Sequence, residues 1–307
     1  MKTITFIVQK GGSGKTMTSG VIAFLLAQKY KVLAIDMDGQ GNLTEMLTQK
    51  EDIYDDDIYE KTALEACLAE DVRQYRLHMG DYFPEMENLD LVPANDLLSR
   101  LPKKLYKKYS LNDSDPRPLQ ALKKSLAPVA DEYDYCIIDT PPSLGETTLN
   151  AIIAADGAVI MFECSKFAHS ALGRCISVLD EGRRMNPGLQ LLGILPALID
   201  GRRWDHEDLL ELVREEFPII MEKTFPQLMP ESMYSHVVFD SIVKRLADTG
   251  RLPVEGLSEE NPKLISGVAP YQPVLVELMA RLAGPDAFAK YRSRLEVAVS
   301  LEKNKGE

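Results

Sequence analysis

Two lysines with glycines between them are the residues in this chain best equipped for chemistry: Lys10-Gly11-Gly12-Ser13-Gly14-Lys15-Thr16. The run follows an apolar stretch (Ile4, Phe6, Ile7, Val8) and precedes apolar residues at helical spacing (Val21, Ile22, Leu25, Leu26). That is the strand–loop–helix context in which a glycine-rich loop cradles phosphate. Glycines let consecutive backbone N–H groups turn inward around an anion, and the helix N-terminus adds its partial positive charge. In such a loop Lys15 reaches the β- and γ-phosphates and the Thr16 hydroxyl ligates Mg²⁺. Gly11, Gly12, Ser13, Gly14 and Met17 complete the expected nucleotide-binding run. Lys10 stands at the strand end, before the loop. It is placed to cross an interface into a second subunit's nucleotide rather than to reach its own chain's γ-phosphate.

Two acidic segments accompany the loop. Val32-Leu33-Ala34-Ile35-Asp36-Met37-Asp38-Gly39-Gln40-Gly41-Asn42 is a strand that ends in carboxylates at i and i+2. Period 2 puts Asp36 and Asp38 on the same side of the strand's C-terminal end, where open α/β sheets bind ligands. Tyr135-Cys136-Ile137-Ile138-Asp139-Thr140-Pro141-Pro142 is an apolar strand ending in one aspartate, a position suited to holding Mg²⁺ through water. Pro141 and Pro142 stop that strand, because proline cannot donate to a ladder.

Taken together, these segments resemble a known family. Lys10 to Thr16 is similar to the deviant Walker A motif, K-G-G-x-G-K-S/T, of the ParA/MinD family of dimerising ATPases. Asp36 to Asn42 resembles the family's D-x-D-x-Q-G-N segment, with Gly39 where ParA members commonly have proline, and Ile137 to Gly145 resembles its I-I-D-x-P-P-S-L-G. The resemblance implies that Asp38 positions or activates the attacking water and that Asp36 supports the Mg²⁺ shell. Lys10, Lys15 and Asp38 are then the catalytic residues, and Thr16, Asp36 and Asp139 the metal-associated ones. ATP would join two copies face to face, and its hydrolysis would release them. The nearest match is to ParA/Soj-type partition ATPases, since Ala151-Ile152 to Met161 and Glu163-Cys164 follow their second-half strand pattern. Ile199-Asp200-Gly201-Arg202 resembles a loop with a DNA-contacting arginine, a role that passes to Arg202 alone. Relatives often follow a late strand with P-R-N-x-R, whose proline lies by adenine. Here Pro226-Gln227-Leu228-Met229-Pro230 keeps that proline as Pro226 and lacks both arginines.

The elements that must position these residues alternate along the chain. Strands are expected at 3–8, 31–36, 89–93, 134–139, 157–162, 191–195 and 219–225. Helices are expected at 15–29, 61–70, 117–130, 145–155, 168–186, 205–217, 231–249, 271–283 and 286–302. Such alternation predicts an α/β, doubly wound, mostly parallel sheet with helices on both faces. With 307 residues and 45% hydrophobic content, residues 1–307 are expected to form a single domain. It would carry an irregular excursion at about 250–273, rich in Gly and Pro, and a C-terminal helix at about 286–302.

No apolar run approaches the ~18–20 residues needed to cross a bilayer, and no signal peptide precedes the first strand. Cys67, Cys136, Cys164 and Cys175 show no C-x-x-C spacing, which predicts a cytoplasmic setting without disulfides or zinc. If DNA is bound, that setting becomes the nucleoid. The net charge of −12 repels a phosphate backbone at long range, so DNA binding needs a local basic surface. Lys103, Lys104, Lys107 and Lys108 form one stripe on a helix beside an apolar seam of Leu101 and Leu105. The stripe suits phosphates and also describes an ordinary solvated helix face. Two readings follow. One is an ATP-driven DNA-partition switch with a ParB-like stimulating partner. The other is a MinD-like positioning ATPase acting on a protein assembly or membrane without DNA.

Overall fold

A computed structural model describes residues 1–50, 56–109, 115–164, 168–199 and 204–303. The strands are β1 (Lys2–Ile7), β2 (Val32–Asp36), β3 (Leu77–His78), β4 (Leu89–Val92), β5 (Tyr135–Asp139), β6 (Gly157–Glu163), β7 (Gln190–Ile199) and β8 (Val243–Lys244). They form one sheet in the order β3-β4-β2-β5-β1-β6-β7-β8. All neighbours are parallel except β3, which runs antiparallel to β4. The helices are α1 (Lys15–Ala27), α2 (Asn42–Thr48), α3 (Asp56–Tyr59), α4 (Ala63–Ala69), α5 (Leu101–Tyr109), α6 (Ala121–Leu126) and α7 (Glu146–Ala154). They continue with α8 (Ala168–Met185), α9 (Trp204–Thr224), α10 (Leu252–Glu255), α11 (Leu264–Val268), α12 (Tyr271–Leu282) and α13 (Pro285–Lys303). The architecture is the doubly wound α/β sheet that the alternation predicts.

The period-2 rule of strands decides which residue enters which layer. Ile4, Phe6, Val32, Ala34 and Ile137 pack on α1, α2 and α12 on one face. Leu33, Ile35, Cys136 and Ile138 face α4, α5 and α6 on the other, while Ile7, Ile160 and Phe162 continue that face against α8 and α9. Both faces of the central strands are therefore covered, which is why these strands read as nearly unbroken apolar runs.

Three expectations change in the late region. Residues 219–225 do not form a strand; they are the last turns of α9 and the residue after it. Leu210, Val213, Phe217 and Met221 are buried at helical spacing, and this stripe carries the helix through Pro218. Residues 231–249 are not one helix: a two-turn 3₁₀ helix (Glu231–His236) leads into an extended run and then β8. Val237 to Phe239 pair alongside β7, the Ile194 amide donating to Val237 O and the Phe239 amide donating to Ile194 O, each at 2.8 Å. Gly193, at φ 146, makes this approach possible, because a Cβ there would lie 2.8 Å from both Val237 O and the Phe239 ring. Within 250–273 the chain forms α10 and α11 and enters α12.

A buried ion pair ties α12 to this edge. Arg281 donates to Leu192 O at 3.0 Å and Val238 O at 3.2 Å, and Glu277 accepts from the amides of Asp240 and Ser241 at 3.0 and 2.8 Å. Arg281 and Glu277 themselves meet at 2.7 Å with no side-chain exposure, so every charge brought inside is hydrogen-bonded.

Candidate functional site

The carboxyl ends of β1, β2 and β5 lie side by side and present the loop, Asp36 and Asp139 to one region. The glycines do what the loop requires. Gly12 and Gly14 adopt left-handed φ values of 76 and 79, a backbone state that costs glycine nothing. Gly14 is the residue from which α1 starts. Lys15 Nζ donates to Asp139 Oδ1 at 2.8 Å, Thr16 Oγ1 donates to Asp139 Oδ2 at 2.7 Å, and Ser19 Oγ donates to Asp139 Oδ1 at 3.0 Å. Lys15 is 5% exposed and Asp139 fully buried. The loop, Lys15, Thr16, Met17 and Asp38 line a cavity of about 560 Å³ together with Gln40, Asn42, Glu45, Pro142 and Leu198.

Asp36 and Asp38 occupy different surroundings despite their i, i+2 spacing. Asp36 does not line the cavity. It accepts from the Thr44 amide at 2.9 Å, the Thr44 hydroxyl at 2.8 Å and the Asp38 amide at 3.0 Å. Both its oxygens thus hold the turn between β2 and α2. Burial, then the nearby Asp139 charge, pushes the Asp36 carboxyl up to about 7, against the Thr44 and Asp38 hydrogen bonds. Asp38 faces the cavity, 7% exposed, and accepts from the Gln40 amide at 3.1 Å. Burial raises its carboxyl above the ordinary range, while the Gln40 amide and Lys15 act in the opposite direction. The turn anchored by Asp36 is what aims Asp38.

Several residues of this cavity carry no motif. Leu198, at the end of β7, has φ 56, a conformation rare for a bulky side chain. Its Cδ2 lies 3.4 Å from where a Cβ on Gly14 would stand. Gly250, Pro253 and Val254 reach the cavity from α10 and the turn before it. The only advance signal for them was the density of Gly and Pro in 250–273. Pro226 lies elsewhere: it begins a 3₁₀ turn after α9, beside α8, and does not line the cavity. Its placement by adenine rested on a strand at 219–225 that is helical. The segment that leaves the sheet's last strand is instead Arg245 and Leu246.

Lys10 is 54% exposed and pairs with Glu163 Oε2 at 2.8 Å. Lys103, Lys104, Lys107 and Lys108 are all exposed on α5, with Leu101 and Leu105 buried beneath them. Among the described residues, two of the four have acidic partners: Lys104 with Glu65 at 3.4 Å and Lys108 with Glu70 at 2.9 Å. Arg202 lies outside the described residues. No helix among the described residues is long and apolar enough to cross a membrane.

Comparison with known proteins places these features in context. A family model described as an AAA domain matches residues 1–191. The chromosome partitioning protein ParA of Myxococcus xanthus is 35% identical over 227 residues, covering 73% of this chain and 74% of that protein. The sporulation initiation inhibitor protein Soj of Bacillus subtilis is 30% identical over 234 residues, covering 76% and 85%. A crystal structure of cobyrinic acid a,c-diamide synthase from Mycobacterium smegmatis, with bound ADP and magnesium, matches with a TM-score of 0.60 and 31% identity, over 71% of this chain and 82% of that one.

Proposed function

This chain belongs to the ParA/MinD-type P-loop ATPases, and from that premise we propose that it is a partition switch whose ATP-bound dimer binds DNA non-specifically. ATP is its substrate and Mg²⁺ its cofactor, in keeping with the magnesium and nucleotide of the M. smegmatis structures. The donor set fits the metal: the Thr16 hydroxyl and Asp139 carboxylate, 2.7 Å apart, are the hard oxygen ligands that Mg²⁺ prefers. When bound, Mg²⁺ supplies charge neutralisation at the phosphates.

The chain's own residues divide the remaining work. Amides of Gly11 to Gly14 and the N-terminus of α1 hold phosphate oxygens, and Lys15 turns its ammonium from Asp139 toward the β- and γ-phosphates. Asp38 orients the attacking water and takes up its proton as the water oxygen bonds to the γ-phosphorus and the bond from that phosphorus to the β,γ-bridging oxygen breaks, releasing ADP and phosphate. Its raised carboxyl makes it a better base than a solvated aspartate. Lys10 completes the γ-phosphate site of a second copy, so two nucleotides lie at one two-fold interface. Loss of the γ-phosphate removes what Lys10 grips, and the dimer separates. A ParB-like protein on the cargo accelerates that step.

The observation that carries the proposal is the contrast between the two lysines. Lys15 is buried on Asp139, and Lys10, at the cavity's rim before the loop, is exposed. A small-molecule ligase has no use for a lysine reaching between subunits. The MinD-like alternative is favoured by one observation, the neutralisation of Lys104 and Lys108 by Glu65 and Glu70. Size-exclusion chromatography of Asp38→Ala with ATP, with and without DNA, tests the reading. A dimer that retains DNA at low salt and releases it as salt rises supports partition. A dimer that ignores DNA at low salt transfers the protein to the second reading, and a monomer under saturating ATP rejects both.

A further inference from the structure

We infer that Glu163 is a positioning residue for Lys10, holding that ammonium on its own subunit and so opposing dimerisation until nucleotide on a second copy displaces it. The inference rests on the proposal that Lys10 acts between subunits. Sheet register produces the contact. β1 and β6 are parallel neighbours with Ile7 opposite Ile160, and Lys10 and Glu163 each lie three residues farther along. The chain thus delivers both side chains to the same level above the sheet, and they meet at 2.8 Å.

Glu163 is poorly placed to do without a cation. Its side chain is 18% exposed and borders a cavity of about 280 Å³ whose wall includes Phe162, Leu172 and Cys175. A carboxylate at such an apolar margin is costly unless paired. Arg245, just past β8, stands 3.9 Å from its other oxygen, at the edge of ion-pair range. Lys10 is the closer partner and forms the hydrogen bond. A lysine extended across an interface must withdraw from Glu163, so the intramolecular pair and the dimer compete for one ammonium.

Two such pairs break for every dimer formed, so the effect on the monomer–dimer constant is the square of the effect of one. Because Lys10 is more than half exposed, one pair changes an equilibrium by only about two- to fivefold. The dimer constant then changes by about four- to twenty-five-fold.

The test measures the monomer–dimer constant by sedimentation with saturating ATP, in full-length chains carrying Asp38→Ala to stop turnover. Adding Glu163→Gln should tighten the dimer by that factor. Glu163→Asp, which keeps the charge on a shorter arm, should fall between the two and serves as the second variant if the first misfolds. Adding Lys10→Ala should abolish the dimer, and Lys10→Ala with Glu163→Gln should stay monomeric, whereas a Glu163 that opposes dimerisation without acting through Lys10 would let part of the dimer return. If Lys10→Ala abolishes the dimer while Glu163→Gln leaves its constant unchanged or weakens it, the holding role is wrong and the switch survives. If Lys10→Ala dimerises like its parent, both fall.

Discussion

Charged side chains gather at both ends of the sheet, but the two gatherings are built on different principles. At the amino end Arg76 meets Glu132 at 2.6 Å and the Tyr133 hydroxyl at 2.7 Å, and His78 Nδ1 meets Asp90 at 2.8 Å. Apart from the buried Tyr133, these groups are part-exposed, from 19% for Asp90 to 42% for Glu132. Cations and acids pair locally and water covers the rest. At the carboxyl end three carboxylates, Asp36, Asp38 and Asp139, and one lysine, Lys15, are all buried. Burial first, and the neighbouring Asp139 charge second, push the Asp36 carboxyl up to about 7. A balanced cluster in water stabilises a surface. An unbalanced one out of water, beside a helix N-terminus, is a place for a cation and an anion to be added together.

The largest effect that could break this contrast is at Lys15. Lys15→Ala should lower ATP affinity by about 100-fold or more, since it removes a charged hydrogen-bond donor in a buried site; equilibrium dialysis showing affinity within tenfold of the parent would overturn the loop assignment. Next is a charge reversal away from both ends. Lys103→Glu with Lys107→Glu should reduce DNA retention about tenfold at low salt, while ATP affinity stays within twofold. At the amino end the effect should move from binding to stability. Arg76→Ala should cost roughly 1 kcal/mol, read as a fall of about 2–4 °C in Tm, with ATP affinity unchanged; lost affinity would mean that the two ends are coupled.

The smallest effect is a pH dependence. The Asp90 hydrogen bond holds His78 above its ordinary value of 6.5, against partial burial and aided by Glu87 and Asp81. A raised histidine contributes its stabilisation in full below 6.5 and loses it as pH rises through the folded value. The stability deficit of His78→Gln should therefore shrink between pH 6 and pH 9, as read by denaturant midpoints. A deficit that is constant or grows with pH would show that the ring acts through packing.

What could be read from residues alone was whatever is local. The loop, its two flanking elements, Asp38 and Asp139 lie in short segments whose turn chemistry is self-contained, and their strands have apolar runs long enough to identify. The late region resisted for physical reasons. Ile219-Ile220-Met221 after Pro218 looks like a strand after a breaker, because a short apolar run has no periodicity of its own. Burial of Phe217 and Met221 on one stripe decides for helix. Val237-Val238-Phe239 looked like part of a helix face, and pairing with β7 made it extended. Leu198, Gly250, Pro253 and Val254 reach the cavity through tertiary packing, which no window of sequence displays. Glu163 was visible only as a strand end; its nearness to Lys10 comes from the β1–β6 register.

The cavity's wall draws on residues as distant along the chain as Val8 and Val254. During synthesis the phosphate-gripping turn leaves the ribosome early, and α10, its cover, follows only when most of the polypeptide has been made. A chain terminated before Leu252 therefore keeps the phosphate-gripping wall and lacks Pro253 and Val254 opposite it.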